Sequence, residues 1–230
     1  MRSDLLDQRI LKQLNQQVKA GKWATTYLFT GKENERKKAL ALAFAKALNC
    51  EKGQTACKCS VCHRIDEGAF SDVKWYGMVE EVSTIKISEV RDFKNWLFLK
   101  PYEGKIKVFI FNQAERLTGE AQNALLKSLE EPPPDNVILL LVLKAESLFD
   151  TIASRAIEIK VPPFSSQEIK EILIKEAVEK NEKALAVIAE VDETSRSEAM
   201  VALHERLEAG LRSDVAEERL AACEAGETEV

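Results

Sequence analysis

Between residues 25 and 49 an apolar run, a short glycine-containing loop and a long helical pattern follow one another directly. No other feature constrains the chain as tightly. The segment Leu28-Phe29-Thr30-Gly31-Lys32-Glu33-Asn34-Glu35-Arg36-Lys37-Lys38 leads into a helix read from Ala39 to Leu48. Strand, loop and helix in this order are the context of a phosphate-binding loop, G-x-x-x-x-G-K-[ST]. Gly31 and Lys37 stand in register with that pattern. Arg36 occupies the second glycine and Lys38 the hydroxyl position. The missing glycine is the one that lets backbone N–H groups curl around phosphate, and the missing hydroxyl would hold Mg²⁺. The expectation is a nucleotide-binding scaffold without its chemistry. The plainer alternative is a connection whose Lys32, Arg36, Lys37 and Lys38 are merely solvated, or whose Glu33, Glu35 and Arg36 fill the phosphate space.

The alternation continues. Further strands are expected at residues 72–77, 107–111, 137–143 and 156–161, after the first at 25–30. Helices are expected at 5–20, at 88–99 with Ser88 as N-cap, and at 118–131, the last stopped by Pro132-Pro133-Pro134. Strands alternating with helices imply an α/β fold with a mainly parallel sheet covered on both faces. From Val161-Pro162-Pro163-Phe164 onwards only helical patterns follow, including 166–173 and 198–223. The division is placed at 1–164 for the α/β domain and 165–230 for a small helical domain.

Two further patterns bear on chemistry. Val108-Phe109-Ile110-Phe111 ends in Asn112-Gln113, where a nucleotide hydrolase carries Asp-Glu to support Mg²⁺ and polarise water. Amides keep the shape and lose the charge, so this chain is not expected to hydrolyse ATP by itself. Glu115 and Asp135 are nearby acids expected to face solvent. Cys50, Cys57, Cys59 and Cys62 lie within 13 residues and fit a tetrahedral, structural zinc site, with His63 as a substitute ligand. Cys223 is read as an isolated helix-face thiol. Arg155, in Thr151-Ile152-Ala153-Ser154-Arg155, is either a phosphate-directed arginine or a surface residue paired with Asp150 or Glu158.

The net charge of −5 does not favour strong nucleic-acid binding by bulk electrostatics. The chain starts without an apolar signal core, and its longest apolar run, 137–143, is far too short to span a membrane. A cytoplasmic location follows as an expectation.

Tyr27-Leu28-Phe29-Thr30-Gly31, Ala43 to Cys50, the four-cysteine insert, Asn123-Ala124-Leu125-Leu126-Lys127-Ser128-Leu129-Glu130-Glu131-Pro132-Pro133 and Thr151 to Arg155 occur in that order. Together they resemble subunits of the bacterial DNA polymerase III clamp loader, a AAA+ assembly, over residues 5–165. Within that family the gamma/tau type keeps intact nucleotide loops and the delta-prime type carries a degraded site; the chain resembles the second. The resemblance implies a AAA+ core with a zinc insert and a helical lid. It implies a non-catalytic role in loading the sliding clamp onto primer-template DNA beside gamma/tau and delta subunits. The degraded site would comprise Gly31, Lys37, Lys38, Asn112 and Gln113. Ser154 and Arg155 would supply an arginine finger to a neighbouring ATPase subunit. Family members also carry a helical collar domain, expected to be absent from these 230 residues. Two other readings remain open: an active ATP-hydrolysing gamma/tau-type subunit with an unusual loop, and a stand-alone zinc-stabilised DNA-binding module.

Overall fold

The computed structural model describes residues 6–53, 57, 59–77, 84–165 and 168. The helical patterns at 166–173 and 198–223, and Cys223, lie outside the described residues. By its internal contacts the chain divides between Pro163 and Phe164.

The described part of the first unit is a five-stranded sheet in the order β2-β3-β4-β1-β5, built from β1 (Thr26–Thr30), β2 (Val73–Tyr76), β3 (Lys107–Phe111), β4 (Asn136–Val142) and β5 (Ile157–Lys160). Every pairing is parallel. α1 (Gln8–Lys19) precedes β1, and between the strands run α2 (Asn34–Asn49), α3 (Ser60–Asp66), α4 (Ile87–Leu97), α5 (Gly119–Glu130) and the single turn α6 (Asp150–Ala153). The expected α/β architecture is therefore present, with each strand end within a residue of its expected place.

Side chains of a strand alternate between faces, so a sheet covered on both sides needs strands that are apolar at nearly every position. In β4 every residue is buried. Val137, Leu139 and Leu141 join Tyr27, Phe29, Val108 and Ile110 in one core, with Leu14 of α1 and Leu40 and Phe44 of α2. Ile138, Leu140 and Val142 join Leu28, Phe109 and Phe111 in the other, with Phe93 and Leu97 of α4 and Leu125 and Leu129 of α5. One sequence run thus feeds two cores. Phe93 meets Phe109 and Phe111 edge-on, with ring centroids 5.0 and 5.3 Å apart, the arrangement favoured by the ring quadrupoles.

Helix ends follow their capping chemistry. The Asp7 carboxylate accepts from the N–H groups of Arg9 and Ile10, and the Thr118 hydroxyl accepts from that of Ala121. Ser88, expected to cap α4, instead lies inside its first turn, and Lys86 is the N-cap residue. The reason is tertiary. Ile85 forms a bridge to Leu117, donating its N–H to Arg116 and accepting from Thr118. That pins the chain as extended up to Lys86, so the helix begins directly after it. At the other end, the Lys107 ammonium donates to the carbonyls of Trp96, Leu97 and Leu99. A buried cation there satisfies carbonyls that a helix end leaves unpaired.

Gly31 follows β1 with φ +148°, and a Cβ on it would stand 2.3 Å from the carbonyl oxygen of Val161. Gly31→Ala is expected to lower the unfolding free energy by roughly 2–3 kcal/mol, through a disfavoured dihedral and a clash with backbone. Denaturant melts of wild type and variant check this. Equal stability would mean that the turn does not hold this shape.

Candidate functional site

Gly31 and Lys37 of the glycine loop lie at the carboxyl ends of β1 and β4, where open parallel sheets place their ligands. Helix α2 begins at Asn34, five residues before the expected start, because Glu33 is extended and the charged residues 35–38 are good helix formers. The connection after β1 is consequently short. The Gly31 N–H donates to the carbonyls of Val142 and Leu143 at the end of β4.

Lys37 is carried on the face of α2 that meets the sheet. It is 2% exposed, and its Nζ donates to the Val142 carbonyl at 2.6 Å. Burial pushes its ammonium below the ordinary lysine range, and the Glu115 carboxylate works against that fall. Arg36 is equally buried. Its guanidinium donates to the carbonyls of Pro162 (3.4 Å) and Pro163 (3.2 Å) and lies 3.7 Å from the Asp7 carboxylate. Two of the four cations that the plainer alternative leaves solvated are therefore structural. Lys32 is exposed, and Lys38 pairs with Glu35 at 2.8 Å on the surface. Of the side chains considered for the phosphate space, Arg36 turns to the residues after β5, and Glu35 is exposed.

Asn112 and Gln113 follow β3. Asn112 is buried; its Nδ2 donates to the Gly77 carbonyl at 3.4 Å, while its Oδ1 has no hydrogen-bond partner. Gln113 adopts a left-handed backbone (φ +50°), and its Oε1 accepts from Arg116 at 2.8 Å. Glu115 departs from expectation. One carboxylate oxygen is buried without a hydrogen-bond partner, because the 3₁₀ turn Ala114–Arg116 carries the residue back towards the sheet and Lys37. Asp135 is exposed, as expected. A separate cleft of about 270 Å³ opens beside Gly31, between Thr30, Leu143, Lys144, Glu158 and Lys160. Neither Lys37 nor Asn112 lines it.

The four cysteines converge. Their Sγ atoms all lie within 4.8 Å of one another, and Cys50 and Cys59 are 3.9 Å apart. Tetrahedral zinc with bonds of about 2.3 Å demands sulfur–sulfur edges of about 3.8 Å. The cluster can therefore hold a metal ion. Cys50 closes α2, Cys59 is the N-cap residue of α3, and Cys62 lies in the first turn of α3. The Lys46–Asp66 ion pair at 2.5 Å ties the two helices together. The backbone N–H of Cys62 lowers the Cys59 thiol to about 7. Burial drives Cys62 strongly upward, so without a cation it stays a thiol. His63 is not a ligand here: it is exposed and its Nδ1 faces Glu67 at 3.1 Å, because α3 points it away from the sulfurs.

Arg155 follows α6 and is about one-third exposed. Its NH1 donates to the Thr151 carbonyl at 2.7 Å and its NH2 to Glu130 Oε1 at 2.9 Å. The pairing considered with Asp150 or Glu158 does not occur. Glu158 accepts from Thr30 at 2.8 Å instead, since β5 pairs with β1 and brings the two side chains together. Sequence reading missed Glu130. It stands in the Asn123 to Pro133 run, which carries no local sign of a partner beyond residue 150.

A family model described as DNA polymerase III, delta subunit, matches residues 6–165. Among curated proteins, the DNA polymerase III subunit delta' of Bacillus subtilis (strain 168) is 30% identical over 200 residues, which is 84% of this chain and 60% of that protein. The DNA polymerase III subunit tau of Escherichia coli (strain K12) is also 30% identical over 200 residues, covering 84% of this chain and 31% of that protein. The chain thus spans between 31% and 60% of the length of these relatives. Identity alone does not separate the two subunit types. A solved gamma subunit-related protein of DNA polymerase III from Thermotoga maritima shares the fold, with a TM-score of 0.55, 23% identity, and 85% of this chain and 57% of that one covered.

Proposed function

Because this chain belongs to the DNA polymerase III delta-subunit family, we propose that it is a delta-prime-type clamp-loader subunit that neither binds nor hydrolyses ATP itself. Its 165–230 segment is read as a helical lid. Its partners are the gamma/tau ATPase subunits and the delta subunit, and through them the sliding clamp and primer-template DNA in the cytoplasm. Among the described residues no helix is long and apolar enough to cross a membrane.

The observation that best supports this reading is the fate of Lys37. A lysine that serves phosphate must reach into open space, whereas this one is buried and hydrogen-bonded to Val142. Asn112 and Gln113 add that amides stand at the two positions directly after β3, where a hydrolase has the carboxylates that support Mg²⁺ and polarise water. The relatives of gamma and tau type motivate the competing reading of an active ATPase, which would need Lys38 to replace the Mg²⁺-binding hydroxyl.

Titration of the isolated chain with a fluorescent ATP analogue and Mg²⁺ separates the two. No binding is expected at millimolar nucleotide; micromolar, Mg²⁺-dependent binding would overturn the proposal. A second expectation concerns stability. Lys37→Ala removes a buried side chain and a charge-assisted hydrogen bond, and should cost ~2–4 kcal/mol. Lys32→Ala on the exposed loop should stay within about 0.5 kcal/mol of wild type. Equal melts for the two variants would show Lys37 to be a free side chain.

The four cysteines are assigned to structural zinc. Four sulfurs within 4.8 Å of one another would fill a tetrahedral ion's positions and leave none for substrate, which fits a closed site. Arg155 is assigned as the residue that reaches the ATP of an adjacent subunit.

A further inference from the structure

Arg155 reaches 25 residues back along the sequence to Glu130, and the form of that contact is informative. Glu130 is the last residue of α5, whose end is set by Pro132, Pro133 and Pro134. Thr151, which supplies the second contact, belongs to α6, whose Ile152 is packed with Leu125 and Leu129 of α5 in one core. Both acceptors are thus mounted on elements fixed by apolar packing, while the Arg155 side chain is 36% exposed. A guanidinium has five N–H donors in a rigid fork. Among the described residues two are used, one on each terminal nitrogen, which leaves three without an acceptor there. The plane of the fork is held, and part of it is left open.

Stability does not account for the pair. Arg155 and Glu130 are 36% and 49% exposed, and ion pairs that open to water contribute little to folding. A long arginine otherwise spreads over many rotamers, and freezing it at the moment of contact lowers the yield of any interaction it makes.

We propose that the Glu130 carboxylate is a positioning residue for Arg155, holding the guanidinium plane so that its free N–H groups face an anionic group on a neighbouring subunit. This rests on the reading of Arg155 as the arginine donated to an adjacent ATP site. Glu130 touches no reacting atom. It acts through Arg155, in the way that outer carboxylates orient the ligands of a metal.

The test is a double-mutant cycle in the reconstituted clamp loader, with this chain as wild type, Glu130→Ala, Glu130→Gln, Arg155→Ala and the Glu130→Ala/Arg155→Ala double variant. Glu130→Ala removes only an exposed side chain and should melt within about 2 °C of wild type. It is expected to lower the kcat for ATP of the dependent site by about two- to fivefold, the range of an exposed ion pair, with KM unchanged. Glu130→Gln keeps an acceptor at Oε1 and should recover more than half of the lost rate. In the Arg155→Ala background, Glu130→Ala should have no further effect. A normal rate for Glu130→Ala beside a slow Arg155→Ala would overturn the positioning role and leave the arginine assignment standing. A faster rate for Glu130→Ala would also overturn it, since Glu130 would then be restraining Arg155. A normal rate for Arg155→Ala in an intact complex would overturn both.

Discussion

Arg155→Ala is expected to silence the neighbouring ATP site to which the proposed role assigns this arginine, while leaving the clamp loader assembled. An arginine supplied from outside a phosphoryl-transfer site contributes about 10³–10⁵ in rate by neutralising charge that develops on the transferred group. Only one site would lose it. The steady-state, DNA-stimulated rate should therefore fall by that site's share of turnover. A single-turnover experiment should show a fraction of bound ATP that persists. The geometry makes the loss specific. Arg155 is partly exposed and, among the described residues, hydrogen-bonds to Thr151 and Glu130, so its removal disturbs neither core. Arg155→Lys keeps the charge and loses the planar fork, so it should rescue poorly. Complexes that elute intact and hydrolyse ATP at the wild-type rate would sink the assignment.

The second large effect is expected from the cysteine cluster. Natively purified protein should contain about one zinc per chain by elemental analysis, and Cys62→Ser should abolish it. Cys62 is fully buried, and burial opposes its ionisation. A zinc ion bound there would stabilise the buried thiolate, and a hydroxyl would not replace that ligand. A metal that binds only the folded chain stabilises it by about 4 kcal/mol when free metal is 1,000 times Kd. Chelation should then lower the Tm by roughly 8–16 °C for a domain of this size. Acidification should release the metal as well, since thiolate ligands must be deprotonated to bind. The change should concentrate in α3, which is held by the cluster and by the Lys46–Asp66 pair. The sheet cores contain none of the four cysteines. Natively purified protein that contains no metal, and whose melting neither chelator nor added zinc changes, would reject the site.

Much of the fold was legible because its signals are local. Period-two burial in strands covered on both faces leaves uninterrupted apolar runs, and residues 137–143 announced β4 (Asn136–Val142) almost to the residue. The end of α5 was readable from the prolines after it, whereas Thr118, expected as its first residue, is its N-cap. Likewise the spacing of Cys50, Cys57, Cys59 and Cys62 belongs to one short segment, and so a shared metal was a fair expectation. Ser88 failed as a cap because the decisive contact, Ile85 with Leu117, joins segments 32 residues apart.

The sequence by itself determined the layered α/β architecture, the substituted loop at Arg36 and Lys38, and the amides at Asn112 and Gln113. Each is a matter of residue type at a spacing, and hydrophobic periodicity and side-chain chemistry are carried within a few residues. Tertiary structure alone decided that Lys37 meets Val142, that Arg36 meets Pro162 and Pro163, that Glu115 turns inward and that Arg155 meets Glu130. In each case the partner is distant in sequence or the direction of the side chain is set by packing. A charged residue reads the same in sequence whether it faces water or a carbonyl. Only the way the sheet and its helices close around it determines which.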